Sequence, residues 1–469
     1  MADLRARGSS AGVSSTSLNQ TNNRATEKAT VHVVGEPSLR QRLTASSDLE
    51  GQFAPAAQDD TFGNEEGAEI QYKTCAWWNT GILMLAENVS LGILALPQAL
   101  AILGIVPALL LIVLLGLIAT YTGYLIGEFK LAYPSLQSYA DCGTLISGPI
   151  ARDVIALGQV MVLIFIMGAH ILTFAVAMNA MTNHATCTII FSVIGFILSF
   201  LLGLPRTFKN VSYLSIFSCA SIILSVTVTM IAIGIQKPDM DNMVGVRPNA
   251  SLVTGLNPVM NIVLAYTGHV AFFSFASELK DPRKFRKALF FEQGIAVSFY
   301  AIISAVIYFF AGPLVASPAL GSASPLISKI CFGIALPTII VAGVVNGSVA
   351  TKYVYLRIWK ASWILAEAVP NFNLLLGLIG ALFGSWFSYA LPPLLWLWHD
   401  RKNGKLFSSK RQCAFTVINF SIMILGVSIF GLGMWSSGSS LHNGSGGNVF
   451  SCENNWHPVS WVAEGTEDN

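Results

Sequence analysis

Long apolar runs decide what this chain can fold into. Ten of them fall near residues 77–100, 103–128, 153–182, 186–205, 211–235, 256–278, 289–316, 326–356, 373–398 and 413–436. Each is about 20 residues or longer, which as a helix at 1.5 Å per residue crosses the hydrocarbon layer of a bilayer. Barrel strands would instead need alternating segments of about ten residues. Only 11% of the chain is charged and 53% is hydrophobic, against roughly 25% charged in soluble domains. The expected class is therefore an all-α membrane protein embedded in a lipid bilayer. Short loops join the runs into one helical domain over 73–436.

Residues 1–72 are polar, rich in Ser, Thr, Asn and Gln, and lack a signal-peptide pattern. They carry too little apolar surface to fold alone and are expected to form a disordered cytoplasmic tail. Residues 437–469 are expected to be an extracytoplasmic tail. A net charge of +2 argues against a nucleic-acid partner. The seven cysteines form no CxxC and the histidines no cluster, so no metal or redox cofactor is signalled.

Basic residues orient the spans, because Lys and Arg collect on the cytoplasmic side. "LKDPRKFRK" (279–287) carries five, and Arg401, Lys402, Lys405, Lys410 and Arg411 make a second group. The connections 100–103, 182–186 and 317–325 carry none. The alternation places the N-terminus inside, and the sequons at Asn249 and Asn443, with Cys187 and Cys452, outside. In an oxidising compartment those two cysteines are expected to pair. One conflict remains. Lys360 and Arg401 both belong inside, yet the chain between them is too short for two full spans, which need roughly 40 residues.

Charges within the runs are few and informative. In "ENVSLGILALP" (87–97), Glu87 lies inside the first run, followed by Asn88, Ser90 and Gly92. A carboxylate in lipid must be protonated, paired or wet, which suits a proton carrier. The polar string weakens the helix, and unwound backbone is tolerated at that depth where it lines a cavity. "AYTGHVAFFSF" (265–275) repeats the pattern in the sixth run, with Thr267, Gly268 and His269. Matching breaks five spans apart predict an inverted five-helix repeat with its site at the repeat interface. Half-helix ends there suit a zwitterion such as an α-amino acid. The flanking Ile93, Phe272, Phe273 and Phe275 favour a neutral side chain. The bland alternative is that Gly92 and Gly268 only permit close helix packing. His170 in "MGAHILTF" is a second mid-span polar group, either coupled to transport or merely packed.

"AENVSLGILALPQAL", "FFSFASELKDPRKF" and "PLISKICFGIALP" resemble the amino acid/auxin permease family, and within it the fungal neutral amino-acid permeases of the methyltryptophan-resistance type. The resemblance spans about residues 70–435 and includes "YADCG", "GAHILT" and "SPAL". It implies a LeuT-type 5+5 inverted-repeat helix bundle of about 11 transmembrane helices and proton-coupled symport of aliphatic and aromatic amino acids. It places Ser90, Leu91, Gly92 and Ile93, with Thr267, Gly268, His269 and Phe273, at the substrate. Glu87 and His170 become proton-coupling residues, and Asn346 lies on the helix that holds an ion in sodium-coupled relatives. No cofactor beyond the proton is implied. It also supports the Cys187–Cys452 pair. The departure is the conflict above: between "YLRIWK" (355–360) and "ASWILAEAVP" (361–370) relatives carry a loop and half a helix, so the ninth helix is expected to be truncated. Plasma membrane is preferred to vacuolar membrane, and the oligomeric state is left open. The alternative function is an amino-acid sensor on a transporter scaffold. No HExxH, intramembrane Asp pair or GxSxG occurs in the runs, so an enzyme is not expected.

Overall fold

The apolar runs fold as helices, because lipid offers backbone N–H and C=O groups no partner outside their own segment. A computed structural model describes residues 73, 75–202, 208–247, 251–350, 355–443 and 448–456, apart from the side chains of 208–213, 345–350 and 355–360. The expected tail at 1–72 and the sequon Asn249 lie outside the described residues. The helices run in the order α1 (Trp77–Asn88), α2 (Gly92–Leu103), α3 (Ile105–Ala132), α4 (Tyr139–Ser147), α5 (Pro149–Thr182), α6 (Thr188–Leu202) and α7 (Phe208–Gln236). There follow α8 (Leu252–Ala265), a 3-10 turn Thr267–Ala271, α9 (Phe272–Glu278), α10 (Phe285–Ala311), α11 (Pro325–Ala350) and α12 (Tyr355–Ala368). The last are α13 (Phe372–Ile379), a π-helical stretch Gly380–Ala390, α14 (Leu391–Lys402) and α15 (Lys410–His442).

Among the described residues, eight helical spans are long and apolar enough to cross a membrane, or nine with the bent pair α1 and α2. Large apolar side chains such as Leu110, Leu117, Phe217, Ile235 and Val417 are exposed on their outer faces. In water that would be an association liability; in a bilayer it is the lipid contact. α6 is apolar but has 15 residues, and α12 has 14. At 1.5 Å per residue α12 reaches about 21 Å, well short of a ~30 Å hydrocarbon layer. α15 continues beyond 436 to His442, where Asn443 caps its end and stands exposed.

The first and sixth spans pack against each other along their length. At one end Cys75 and Leu279 form a parallel bridge, Cys75 N donating to Glu278 O (3.2 Å) and Lys280 N to Cys75 O (3.0 Å). At mid-depth a Cβ on Gly92 would stand 2.8 Å from Ala265 Cα, so glycine sets how closely the two spans approach. The cluster Lys280, Arg283, Lys284 and Arg286 marks one face of the bundle as basic. The Cys187–Cys452 disulfide (Cα–Cα 4.5 Å) marks the opposite face. There it holds residues 448–456 over the ends of α5 and α6, where Thr188 Oγ1 donates to Glu453 O (2.7 Å) and Asn179 Nδ2 to Asn455 Oδ1 (2.8 Å).

The two expected breaks are not alike. α1 and α2 meet at 51° across Val89–Leu91. The sixth span instead narrows into the 3-10 turn Thr267–Ala271 and counts as one continuous span, Leu252–Glu278. The matched-break expectation is corrected here: Tyr266 N donates to Val263 O (3.2 Å), so the chain tightens to i→i+3 bonding rather than unwinding.

Candidate functional site

Local chemistry makes the first break. Val89 N still donates to Leu85 O (2.8 Å), ending α1, but Ser90 N turns back to Asn88 O (3.0 Å) and Ser90 Oγ donates to Glu87 O (3.2 Å). These short-range bonds compete with helix propagation. α2 then restarts at Gly92 with no side-chain cap; Leu94 N turns back to Leu91 O (3.1 Å), and the N–H groups at the head of the helix have no partner along its own ladder.

The break opens on an inner cavity of about 40 Å³ lined by Glu87, Asn88, Ser90, Leu91, Gly92, Ile166, Ala169, His170, Leu264, Thr267, Gly268, Leu376 and Ile379. It gathers four elements: both breaks, the middle of α5, and α13. Glu87 is partly buried and faces this space. His170 is buried, and its Nδ1 lies 2.8 Å from Ile339 O on α11. Donation to that carbonyl fixes the tautomer and leaves Nε2 as an acceptor in the neutral ring. Among the lining residues there is no Lys or Arg.

Of the residues expected at the substrate, Ser90, Leu91, Gly92, Thr267 and Gly268 line the cavity, and Ile93, His269 and Phe273 do not. His269 is turned away: its Nδ1 lies 3.1 Å from Tyr266 O and its Nε2 lies 3.0 Å from Thr122 Oγ1 and 2.9 Å from Ala119 O. Each ring nitrogen faces a backbone carbonyl, and the Thr122 hydroxyl beside Nε2 donates to Ala119 O (3.0 Å), which makes His269 a strut between the turn and α3. Phe273 is buried against Tyr139, ring centroids 5.0 Å apart, and Ile93 is wholly buried in the core. Asn346 lies on α11, with its side chain outside the described residues.

Glu292 on α10 is the residue that sequence reasoning passed over. Wholly buried, it accepts from Asn88 Nδ2 at 2.6 Å, and Tyr300 OH on the same helix donates to Asn88 O at 2.6 Å and reaches Ala265 O at 3.1 Å. A Cβ on Gly268 would collide with the Asn88 amide, so the sixth span must carry glycine there for Asn88 to seat. The available signal was "FFEQG" (290–294), a carboxylate and an amide inside an apolar run.

A second cavity, about 630 Å³, lies one to two turns along α5 toward the disulfide face. Leu172, Ala175 and Val176 line it together with Gln98, Ser192, Ser317, Glu367, Asn371, Asn373 and the 448–456 segment. Asn373 donates to Gln98 and accepts from Ser317 Oγ (2.7 Å), tying α13 to α2 and the loop before α11. The inner cavity holds little more than ordered water, since ligand pockets run to roughly 300 Å³ and more. The site is thus closed around its own side chains beneath a wide vestibule.

A profile of the transmembrane amino acid transporter family matches residues 73–361 and 348–437, two segments that overlap where α12 begins. The N amino acid transport system protein of Neurospora crassa is 33% identical over 407 residues, 80% of this chain and 86% of that protein. A transmembrane transporter of Gibberella moniliformis is 30% identical over 449 residues, 88% and 93% of the two chains. Among solved structures, a manganese transporter of Eremococcus coleocola covers 78% of this chain and 95% of its own, with a TM-score of 0.46 at 14% identity. Mhp1, a nucleobase-cation-symport-1 family transporter, covers 78% and 94% with a TM-score of 0.47 at 13% identity. The chain is a multi-pass membrane transporter rather than an enzyme, and it belongs to the transmembrane amino acid transporter family.

Proposed function

We propose that this chain is a secondary active transporter that moves a neutral amino acid together with a proton. The observation that carries the reading is the inner cavity, which brings the first break, the 3-10 turn, Glu87 and His170 to one place. The uncapped start of α2 at Gly92 supplies N–H groups and a positive half-dipole for an α-carboxylate. The end of α1, with the Glu87 and Asn88 carbonyls, supplies acceptors for an α-ammonium group. The remaining wall, Ile166, Ala169, Leu264, Leu376 and Ile379, offers a side chain only apolar contact, which favours aliphatic or aromatic substrates. No basic lining residue awaits an acidic one.

Glu87 is the group in this cavity whose charge a proton can cancel, so it is assigned proton transfer between cavity water and the site; His170 orients the opposite wall. The crossing pattern fits a LeuT-type 5+5 bundle of eleven spans, counting α6 and the short α12. The disulfide face is assigned to the outside and the basic face to the cytoplasm. The plasma membrane is the assigned location, with the wide vestibule as the entry route.

The second reading, a sensor that binds without transport, is favoured by the 14 residues of α12. Uptake of radiolabelled leucine and phenylalanine into proteoliposomes, with an inward proton gradient and no sodium, separates the two. Accumulation that an uncoupler collapses supports symport. Saturable binding without uptake supports the sensor, and an undiminished signal after removing the proton gradient refutes proton coupling.

A further inference from the structure

Two carboxylates flank the first break, and Glu87, which lines the cavity, accounts for only one of them. We propose that Glu292 is a second proton-binding site of the transport cycle, whose occupancy sets how firmly Asn88 anchors the first break to α10. The inference rests on the symport reading above.

The geometry is that of a charge-sensitive latch. Glu292 is wholly buried, and among the described residues no cation pairs with it and its Oε2 has no hydrogen-bond partner. Leaving a carboxylate in such a place without a cation is strongly unfavourable. Its strong donor is Asn88 Nδ2 at 2.6 Å, and the neighbouring Gln293 side chain is the second hydrogen-bonding group beside it. Asn88 is bonded to Glu87 on one side and lies two residues from Ser90 on the other, and all three line the cavity. The charge at Glu292 is therefore felt at the site through a single side chain. Tyr300 OH holds the carbonyl of the same residue, so α10 grips Asn88 twice, from positions 292 and 300.

The groups around it leave Glu292 as the variable charge. Tyr266 and Tyr300 are close enough to interact electrostatically, with Cys219 of α7 beyond Tyr300. On α1 Glu87 is the titratable residue, and α2 has none. α3 carries Tyr121, Tyr124, Glu128 and Lys130. Of these Glu128 is taken by Arg286, whose Nε lies 2.6 Å from its Oε1, and Lys130 by the Pro134 carbonyl at 2.7 Å. Lys209 and Tyr213 of α7 are outside the described side chains.

The step balances simply. Hydronium that reaches α10 past Asn88, behind the cavity wall, gives its proton to Oε2, forming an O–H bond and leaving water. The neutral acid then holds Asn88 by an ordinary hydrogen bond, roughly half as strong as the charge-assisted one. α1 is freed to swing, and on the other side the O–H bond breaks and the proton passes to water there.

The test measures leucine transport in proteoliposomes as proton-driven accumulation and as counterflow between equal pools, across pH. Glu292→Gln keeps an acceptor oxygen for Asn88 and is expected to retain counterflow while losing both accumulation and the pH dependence of counterflow. Glu292→Asp is expected to restore part of each. Asn88→Ala keeps the acid and removes the donor that favours its charged form. The midpoint pH of counterflow should then rise by about one to two units. An unchanged pH profile in Glu292→Gln overturns the inference, as does an unmoved midpoint in Asn88→Ala should the first variant not fold. Absence of counterflow in the unsubstituted protein refutes the transport reading itself, and the latch with it.

Discussion

The first and sixth spans both yield at mid-depth, but they are held in different ways. The first bends by 51°, loses helical bonding over Val89–Leu91, and is fixed from outside by α10 through Glu292 and Tyr300. The sixth continues as a single span: its backbone tightens into a 3-10 turn, and the His269 ring braces it between Tyr266 O and Thr122 of α3. A break held by two side chains of a neighbouring helix, one of them ionisable, can be loosened by changing that contact. A turn tightened by its own i→i+3 backbone bonds is not released in that way. On the latch proposed above, the first break is the moving part and the sixth span the surface it moves against.

The strongest challenge to this contrast is Gly268→Val, because position 268 is where the two parts touch. The added carbons would occupy the space of the Asn88 amide. Overpacking of this kind typically costs about 1–3 kcal/mol. Counterflow of leucine should fall about 10–100-fold, with accumulation falling in parallel. A wild-type counterflow rate would mean that Asn88 does not need its seat against the turn.

Glu87→Gln should act on one readout alone. The amide keeps the shape of the cavity and removes the charge, so proton-driven accumulation should vanish while counterflow remains within a few-fold of wild type. Parallel loss of both would place Glu87 in substrate binding, and unaltered pH-driven uptake would remove it from coupling. Tyr300→Phe comes next. It deletes the hydroxyl that donates to Asn88 O and reaches Ala265 O. A loss of about 1 kcal/mol corresponds to a roughly fivefold weaker apparent affinity for leucine.

Much of this was legible before any coordinates, for a physical reason. Lipid forces each apolar run to satisfy its own backbone, so run length alone gave nearly every helix. Glu87, Gly92, His170 and Gly268 could each be singled out, because each is a polar or small residue where the bilayer tolerates few; setting His170 beside the two breaks came from the family resemblance. Glu292 was not legible. It follows two phenylalanines near the basic stretch 279–287, where a carboxylate reads as a helix-end surface group, and the residue that explains it, Asn88, is 204 positions away. His269 failed in the opposite direction. Its place in "YTGHV" suggested the substrate, but its ring partner Thr122 lies 147 positions away on another helix. The tightening of the sixth span was hidden as well, since a 3-10 turn and an unwound loop draw on the same small and polar residues. The shortness of α12 was visible from charge counting, since the chain length between two basic groups expected on the same side needs no knowledge of packing.

The smallest expected effect is the sharpest control on the contrast. Ser388, in the π-helical stretch, is the side chain that reaches the turn's entry residue, its Oγ donating to Tyr266 O at 3.3 Å. That bond is long, and the same carbonyl is already approached by His269 Nδ1 at 3.1 Å. Ser388→Ala should therefore leave Tyr266 O satisfied and alter leucine affinity by less than about twofold, since a carbonyl keeping one donor avoids the penalty of an orphaned group. Tyr300→Phe also leaves Asn88 O a donor, the Ser90 N–H at 3.0 Å, but that bond belongs to the break itself and ties it to nothing outside. Measured side by side, the two variants compare a hydroxyl that holds the first break and also reaches Ala265 of the sixth span with one that touches the sixth span alone. If Ser388→Ala weakened affinity as much as Tyr300→Phe, the sixth span would depend on its neighbours just as the first does. Both breaks would then be moving parts, and the rigid surface would have to be sought in α5 and α11 instead.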